Sequence, residues 1–386
     1  MYKLRPYQQE AVDAAVAFFE SKTKMNAIEV LPTGSGKSLV IADIANRLEG
    51  HTLVFQPSKE ILEQNFTKMC SYGVLDCSIY SASFNSKRIS RITFATIGSV
   101  IRHTEQFHHF NNIIVDECHL VNAKGGMYEE FIRQAGCKVL GLTATPYRLS
   151  TSSWGAMLKF LTRTNPRIFS KVIYQVQIQT LLKSGFLAEM DYFYTPPPMW
   201  DDSNLIDNST GADYTDKSVQ EEYKRVDFYS WLVSITRRLL NPKGRKRNGI
   251  LVFTRFLREA ERLANEIDGC AMVSGDTPKT ERERVLAAFK AGDIKVVVNV
   301  GVLTTGFDYP ELDTIVMARP TKSLSLWYQI VGRGIRPSPL KDKGWVVDLC
   351  GNLNRFGRVQ DLVLVEPRPN MWQVQSNGRQ LTNILF

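Results

Sequence analysis

Leu31-Pro32-Thr33-Gly34-Ser35-Gly36-Lys37-Ser38 decides the fold. The apolar segment 27–31 reads as a buried strand running into it, and Leu39, Val40, Ala42, Ile44, Ala45 and Leu48 follow at helical spacing. Strand, glycine-rich turn, Gly-Lys-Ser and helix is the layout of a phosphate-binding loop. Gly34 and Gly36 let backbone N–H groups turn inward, and the helix start adds partial positive charge. Thr33 and Ser35 complete the loop, Lys37 supplies a point charge for the terminal phosphates, and the Ser38 hydroxyl suits Mg²⁺. The strict pattern has glycine where this chain has Leu31, so an ordinary strand-to-helix turn is the alternative.

Working outward, Leu4-Arg5-Pro6-Tyr7-Gln8-Gln9 opens a helix, with Arg5 and Gln8 on one face. They are either two surface polar residues or a planar pair able to grip a purine edge. A second strand, 52–55, ends at Gln56-Pro57-Ser58, where Ser58 caps a helix and could hold a backbone phosphate. Further strands are predicted over 91–96, 112–115 and 139–142. The strand over 112–115 runs into Asp116-Glu117-Cys118-His119. Carboxylates at the C-terminal end of a parallel strand sit where ligands bind in open α/β sheets. Asp116 there suits Mg²⁺ through its water shell, and Glu117 suits the proton of an attacking water. His119 reads as a packing or hydrogen-bonding residue rather than a metal ligand. Strand–helix alternation predicts a parallel sheet covered on both faces, and a second such series begins at residue 250 without a phosphate loop. Residues 147–247 are less legible: a helix near 181–187, a stiff Pro196-Pro197-Pro198 spacer, a polar loop at 201–216 and a helix over 231–240. No separating hairpin or wedge is legible.

Composition narrows the class. The 386 residues carry a net charge of +9 with 44% hydrophobic content, ordinary for a globular protein with a polyanionic partner. No run approaches the length of a membrane span, and there is no signal-peptide h-region. The six cysteines form no Cys-x-x-Cys pair, which predicts a reducing cytoplasm. Residues 131–188 hold eight cations and no acid, whereas 191–227 hold nine acids and three cations. A further basic run covers Arg237-Arg238 and 243–247. Such blocks are solvated faces or the walls of a binding channel.

Taken in order, Arg5/Gln8, Thr33 to Ser38, Asp116-Glu117-Cys118-His119, Thr143-Ala144-Thr145 and Gln329-Ile330-Val331-Gly332-Arg333-Gly334-Ile335-Arg336 resemble the motifs of superfamily 2 helicases of the DExH type. Gln56-Pro57-Ser58-Lys59-Glu60, Phe94-Ala95-Thr96-Ile97-Gly98-Ser99, Val252-Phe253-Thr254-Arg255, Ser274-Gly275-Asp276 and Thr304-Thr305-Gly306-Phe307-Asp308 fit between them. Leu31 is compatible with that superfamily. Within it, the chain looks most like RadD-like bacterial DNA helicases, on Leu4 to Val12, Gly141 to Leu149, Ser274 to Pro278, Asn299 to Asp308 and Gly351-Asn352. Longer relatives carry a cysteine-rich zinc module beyond this region, and no such module is present in this sequence.

The resemblance implies an α/β P-loop NTPase of two tandem RecA-like domains with parallel sheets. It places the first domain over 1–190, a linker and the start of the second over 191–248, the second over 249–360 and a tail over 361–386. It also implies ATP and Mg²⁺ in the cleft between domains. Lys37, Asp116 and Glu117 would act from the first domain, Gln329 would orient the attacking water, and Arg333 and Arg336 would reach the γ-phosphate. Gly306 and Asp308 would link the ATP and strand sites, and Thr143 and Thr145 would couple them. Ser58, Thr96, Thr254 and Thr304 would contact the nucleic-acid backbone. The expected partner is DNA, single-stranded, forked or branched, with repair and replication proteins such as single-stranded-DNA-binding protein beside it. A monomer with no membrane contact follows. An RNA helicase, or a nucleic-acid-binding module without turnover, are the rival readings.

Overall fold

The computed structural model describes residues 3–152, 155–241, 247–304 and 306–384. Residues 243–246 of the predicted basic run, and Thr305, lie outside the described residues.

Short apolar segments without alternation form two open sheets, because strands covered by helices on both faces must be apolar on both faces. The first sheet has eight strands in the order Lys171–Gln175, Ala27–Val30, Lys138–Thr143, Asn112–Asp116, Thr52–Phe55, Ile92–Ala95, Cys77–Ser81 and Ser86–Lys87. All neighbours run parallel except the short last strand. The second sheet has six parallel strands: Glu189–Tyr194, Lys343–Asp348, Thr314–Ala318, Ile250–Thr254, Val296–Asn299 and Cys270–Val273. Helices flank both. In each sheet the chain therefore delivers several strand C-termini to one edge, and those edges build the site. Among the described residues no helix is long and apolar enough to cross a membrane.

The structure departs from the sequence reading mainly in the poorly legible region. Tyr147–Ser152 and Gly155–Phe160 pair as an antiparallel hairpin directly after Thr145-Pro146. Polar and basic residues interrupt its apolar positions, which hid it. Lys171–Gln175 becomes the edge strand beside the phosphate-loop strand. Glu189–Tyr194 straddles the expected boundary at 190 and pairs along its whole length in the second sheet, with Lys343–Asp348. The predicted helix near 181–187 runs instead over Ile178–Lys183 and stops before Gly185 at φ +68°. The helix expected over 231–240 starts earlier, as Phe228–Leu240, and a second helix, Asp216–Arg225, precedes it.

The C-terminal tail folds back as a three-stranded antiparallel sheet, Leu362–Val365, Gln373–Ser376 and Arg379–Gln380. It docks on the first unit. The Gln177 side chain donates to Leu364 O (2.7 Å) and accepts from Leu364 N (3.1 Å). Asn383 bridges to the hairpin, its Oδ1 accepting from Phe160 N at 3.0 Å. Leu362, Val374 and Leu381 are buried in that contact.

Candidate active site

The phosphate loop is braced from behind by the first helix, Pro6–Glu20. The carbonyl of Ser35 accepts from Tyr7 Oη (2.7 Å) and from Gln8 Nε2 (2.8 Å). Gln8 Oε1 accepts from Arg5 N at 2.9 Å, so both ends of that amide are engaged in fixing helix and loop. Gly36 caps the helix Lys37–Arg47 at φ +80°, and a Cβ there would lie 2.6 Å from Gln8 Nε2. Only glycine meets both conditions. The Arg5 guanidinium stacks over Phe186 at 4.5 Å, and Tyr7 packs against the same ring. Phe186 comes from the crossing between the sheets and carried no legible signal in the sequence.

Lys37 Nζ reaches Glu117 Oε1 at 2.5 Å. Glu117 begins the turn after Asn112–Asp116 in the left-handed region, φ +50°, a strained conformation for a non-glycine residue. That turn aims two successive side chains at the loop. Burial alone would raise the Glu117 carboxyl, but Lys37 and His119 hold it well below the usual carboxylate range. Asp116 is pushed up to about 7 by burial, against the pull of Lys37. A bound cation would reverse that shift.

Asn65 joins the two residues expected to hold Mg²⁺. Its Oδ1 accepts from Ser38 Oγ (2.6 Å), and its Nδ2 donates to Asp116 Oδ2 (3.2 Å) and Gln56 Oε1 (2.9 Å). A hydroxyl and a carboxylate held on one side of a cavity fit a hard cation that keeps most of its waters. Among the described residues no group of three or more His, Cys, Asp or Glu side chains could hold a metal, and a cation of this kind needs none. Sequence reading missed Asn65. Its signal was its place two turns beyond Ser58, on the helix face that also carries Leu62.

His119 is the hub between the two units. Its Nε2 lies 3.3 Å from Gln329 Nε2, and its Nδ1 lies 2.9 Å from Thr143 Oγ1 and 3.3 Å from Glu117 Oε2. With the Gln329 amide donating to Nε2, Nδ1 carries the proton and donates toward Thr143 and Glu117. Thr143 Oγ1 also accepts from Thr145 N at 3.0 Å, and both threonines are buried. A continuous polar chain thus runs from Lys37 through Glu117 and His119 to Gln329 on the helix Leu324–Val331 of the second sheet.

Arg333 and Arg336 follow that helix. Arg333 donates to Phe307 O at 3.0 Å, and Arg336 forms an ion pair with Asp308. Burial lowers each guanidinium to about 10. Gly332 packs on Thr33, where a Cβ would lie 2.8 Å from Thr33 Cγ2. Gly306 O accepts from Gln64 Nε2 at 2.7 Å, a second bond between the units. The result is a cavity of about 340 Å³ walled by Gly34, Lys37, Ser38, Asp116 and Glu117 on one side and by Gln329, Arg333 and Arg336 on the other.

The four expected backbone contacts divide. Ser58 caps the helix Lys59–Ser71 and lines a neighbouring cavity of about 540 Å³, whose opposite wall includes Arg282, Lys290 and Leu303. Thr304 is half-buried in the loop that closes this cavity. Thr96 is half-buried, with its hydroxyl 3.0 Å from Ser99 Oγ. Thr254 is 1% exposed, with its hydroxyl directed at Asn299 O (3.4 Å). Its strand end is covered by residues 207–216, where Asp213 and Asp216 engage Arg255.

A phosphate loop, strand-end carboxylates and two facing parallel sheets define a P-loop NTPase built from two RecA-like domains. Residues 1–148 match the family model described as type III restriction enzyme, res subunit, and residues 231–338 match the helicase conserved C-terminal domain. The chain is 25% identical over 387 residues to the putative ATP-dependent helicase IRC3 of Saccharomyces cerevisiae, covering 90% of this chain and 51% of that protein. It is 26% identical over 342 residues to the putative DNA 3'-5' helicase Rad25 of Halobacterium salinarum, covering 86% and 52%. It therefore spans about half the length of these relatives. Among solved structures, a fragment of a putative HsdR subunit of a type I restriction enzyme from Vibrio vulnificus superposes with a TM-score of 0.68 at 21% identity, covering 92% of this chain and 65% of that one. The type ISP restriction-modification enzyme LlaBIII bound to DNA gives 0.66 at 18%, covering 90% and 27%. Saccharomyces cerevisiae Dbp5 bound to RNA and ADP BeF3 gives 0.58 at 14%, covering 90% and 83%. At these identities the structures show the fold alone. The two family models together with the helicase relatives support a superfamily 2 helicase.

Proposed function

We propose that this chain is an ATP-dependent DNA helicase or translocase of the RadD-like kind. One observation carries the reading: a single cavity takes Lys37, Ser38, Asp116 and Glu117 from one domain and Gln329, Arg333 and Arg336 from the other. Such a site is complete only when the domains meet, so nucleotide state and domain separation are linked. We place the first motor domain at 1–190, the linker and start of the second at 191–248, the second at 249–360 and the tail at 361–386.

The residues suggest an order of events. Lys37, now on Glu117, would move to the terminal phosphates, which frees Glu117 to accept the proton of a water oriented by Gln329. Ser38 and Asp116, set by Asn65, would hold Mg²⁺, which neutralises phosphate charge when bound. Arg333 and Arg336 would stabilise charge developing on the phosphoryl oxygens. Arg5, Tyr7 and Phe186 would flank the base. Ser58, Thr96 and Thr304 would follow a strand backbone, with binding that weakens steeply with salt.

DNA is favoured over RNA because the named relatives include DNA helicases and one structural neighbour is bound to DNA. A neighbour bound to RNA keeps an RNA helicase as the second reading. We extend the proposal to a monomer in a reducing cytoplasm, consistent with six free cysteines, acting in repair, recombination or replication beside single-stranded-DNA-binding protein. ATPase stimulation measured side by side on single-stranded DNA, duplex, fork and RNA tests it. Strongest stimulation by a DNA form is expected; stimulation by RNA alone, or by none of the four, overturns it.

A further inference from the structure

The hairpin that follows Thr145-Pro146 opposes two cations. Arg148 and Lys159 are direct partners across its antiparallel ladder, so their side chains leave the same face. Like charges in that position destabilise a hairpin unless an anion lies between them. Among the described residues no acidic side chain lies within ion-pair distance of Arg148, Lys159 or the nearby Lys124. These three line a cavity of about 250 Å³ with Asn122, Thr164 and Asn165. No aromatic side chain lines it, so it suits a phosphate rather than a stacked base. It opens on the chain segment with no acidic residue, and Arg163 and Arg167 lie exposed along the same segment.

We propose that this pocket is a backbone-phosphate contact for DNA, separate from the groove of Ser58, Thr96 and Thr304. The inference rests on the DNA reading above. It sits beyond the ends of the strands Asn112–Asp116 and Lys138–Thr143, whereas Ser58 and Thr96 follow strands further along the sheet. Its link to hydrolysis is direct. Arg148 donates to the carbonyls of Leu120 (2.8 Å) and His119 (3.4 Å), the backbone of the turn that carries the Glu117–His119–Gln329 chain. A phosphate drawn onto Arg148 and Lys159 therefore pulls on the turn that positions the general base.

The test is Lys124→Ala combined with Lys159→Ala, two side chains outside the catalytic cleft, with the charge-reversed pair Lys124→Glu and Lys159→Glu beside it. Binding of fluorescein-labelled single-stranded DNA and of a fork is followed over a salt series, with ATPase and melting temperature measured in parallel. The alanine pair should lower the slope of log affinity against log salt by about 1–2 and weaken DNA stimulation of ATP hydrolysis several-fold. DNA-free ATPase and melting temperature should stay at wild-type values, and the charge-reversed pair should lose more of both DNA responses. A wild-type slope and stimulation in the alanine pair overturns the inference while leaving the DNA reading standing. Calorimetric binding of inorganic phosphate that the variant loses, with its DNA slope unchanged, also overturns it and makes the pocket a small-anion site. Wild-type protein that binds no DNA at any salt concentration overturns the DNA reading and the inference together.

Discussion

Lys37 and Glu117 hold each other at 2.5 Å across the floor of the cleft. The residue that must neutralise phosphate and the residue that must accept a proton are thus each other's partner. Replacing either leaves the other buried with uncompensated charge. Lys37→Ala and Glu117→Gln should each cut nucleic-acid-stimulated ATPase by about 10²–10⁴. Glu117→Gln should still bind ATP, because it keeps the loop and Lys37. Turnover near wild type in Glu117→Gln would remove it as the base.

Arg336 meets Asp308 beside the phosphate loop and is half-buried there. Arg336→Ala should spare nucleotide affinity, since Lys37 and the loop amides remain. The hydrolysis rate should fall by about 10³–10⁵, the worth of an arginine that stabilises phosphoryl charge. Single-turnover kinetics separate the two; a normal rate constant assigns the role to Arg333 instead.

His119 touches Glu117, Thr143 and Gln329 at once. His119→Ala breaks the side-chain chain from the base to Gln329 of the second domain. We expect ATP affinity within a few-fold of wild type and a loss of about 5–150-fold in nucleic-acid stimulation, the range of ordinary coupling energies. Equal losses in basal and stimulated rates would assign His119 to chemistry rather than coupling.

Asn65 bridges Ser38 and Asp116 from the wall of the cavity. Removal of such an outer partner weakens metal binding by about 10–100-fold in well-studied sites. Asn65→Ala should raise the Mg²⁺ concentration needed for half-maximal ATPase on that scale, with turnover recovered at saturating Mg²⁺. Failure to recover would show that Asn65 does more than orient the two ligands.

Glu29 is fully buried in Ala27–Val30, and among the described residues neither carboxyl oxygen has a hydrogen-bond partner. Burial raises its folded-state value well above 4.5. Above that unfolded value the unfolded chain gives up a proton that the folded chain keeps, so stability falls as pH rises toward the folded value. Glu29→Gln removes the titration. Its melting temperature should gain on wild type progressively as pH rises above 4.5, where only the unfolded wild-type chain gives up the proton. A gain independent of pH would show that packing, not ionisation, sets the difference.

The sequence by itself determined what is local. Glycine is required at 34 and 36 because their φ values are +83° and +80°, and that demand is written in the residue type. Apolar runs named most of the sheet strands, and Asp116-Glu117 at the end of one of them marked the cleft. Motif order pointed to the second domain's Gln329, Arg333 and Arg336. What only tertiary structure decided is which distant side chains meet. Strand order places Asn112–Asp116 near the phosphate-loop strand, and no residue type announces that order. Asn65 became a bridge, His119 a hub and Thr254 a buried hydroxyl through packing alone. The hairpin's paired Arg148 and Lys159 stayed hidden for the same reason: their opposition depends on register, a property of two strands together rather than of either.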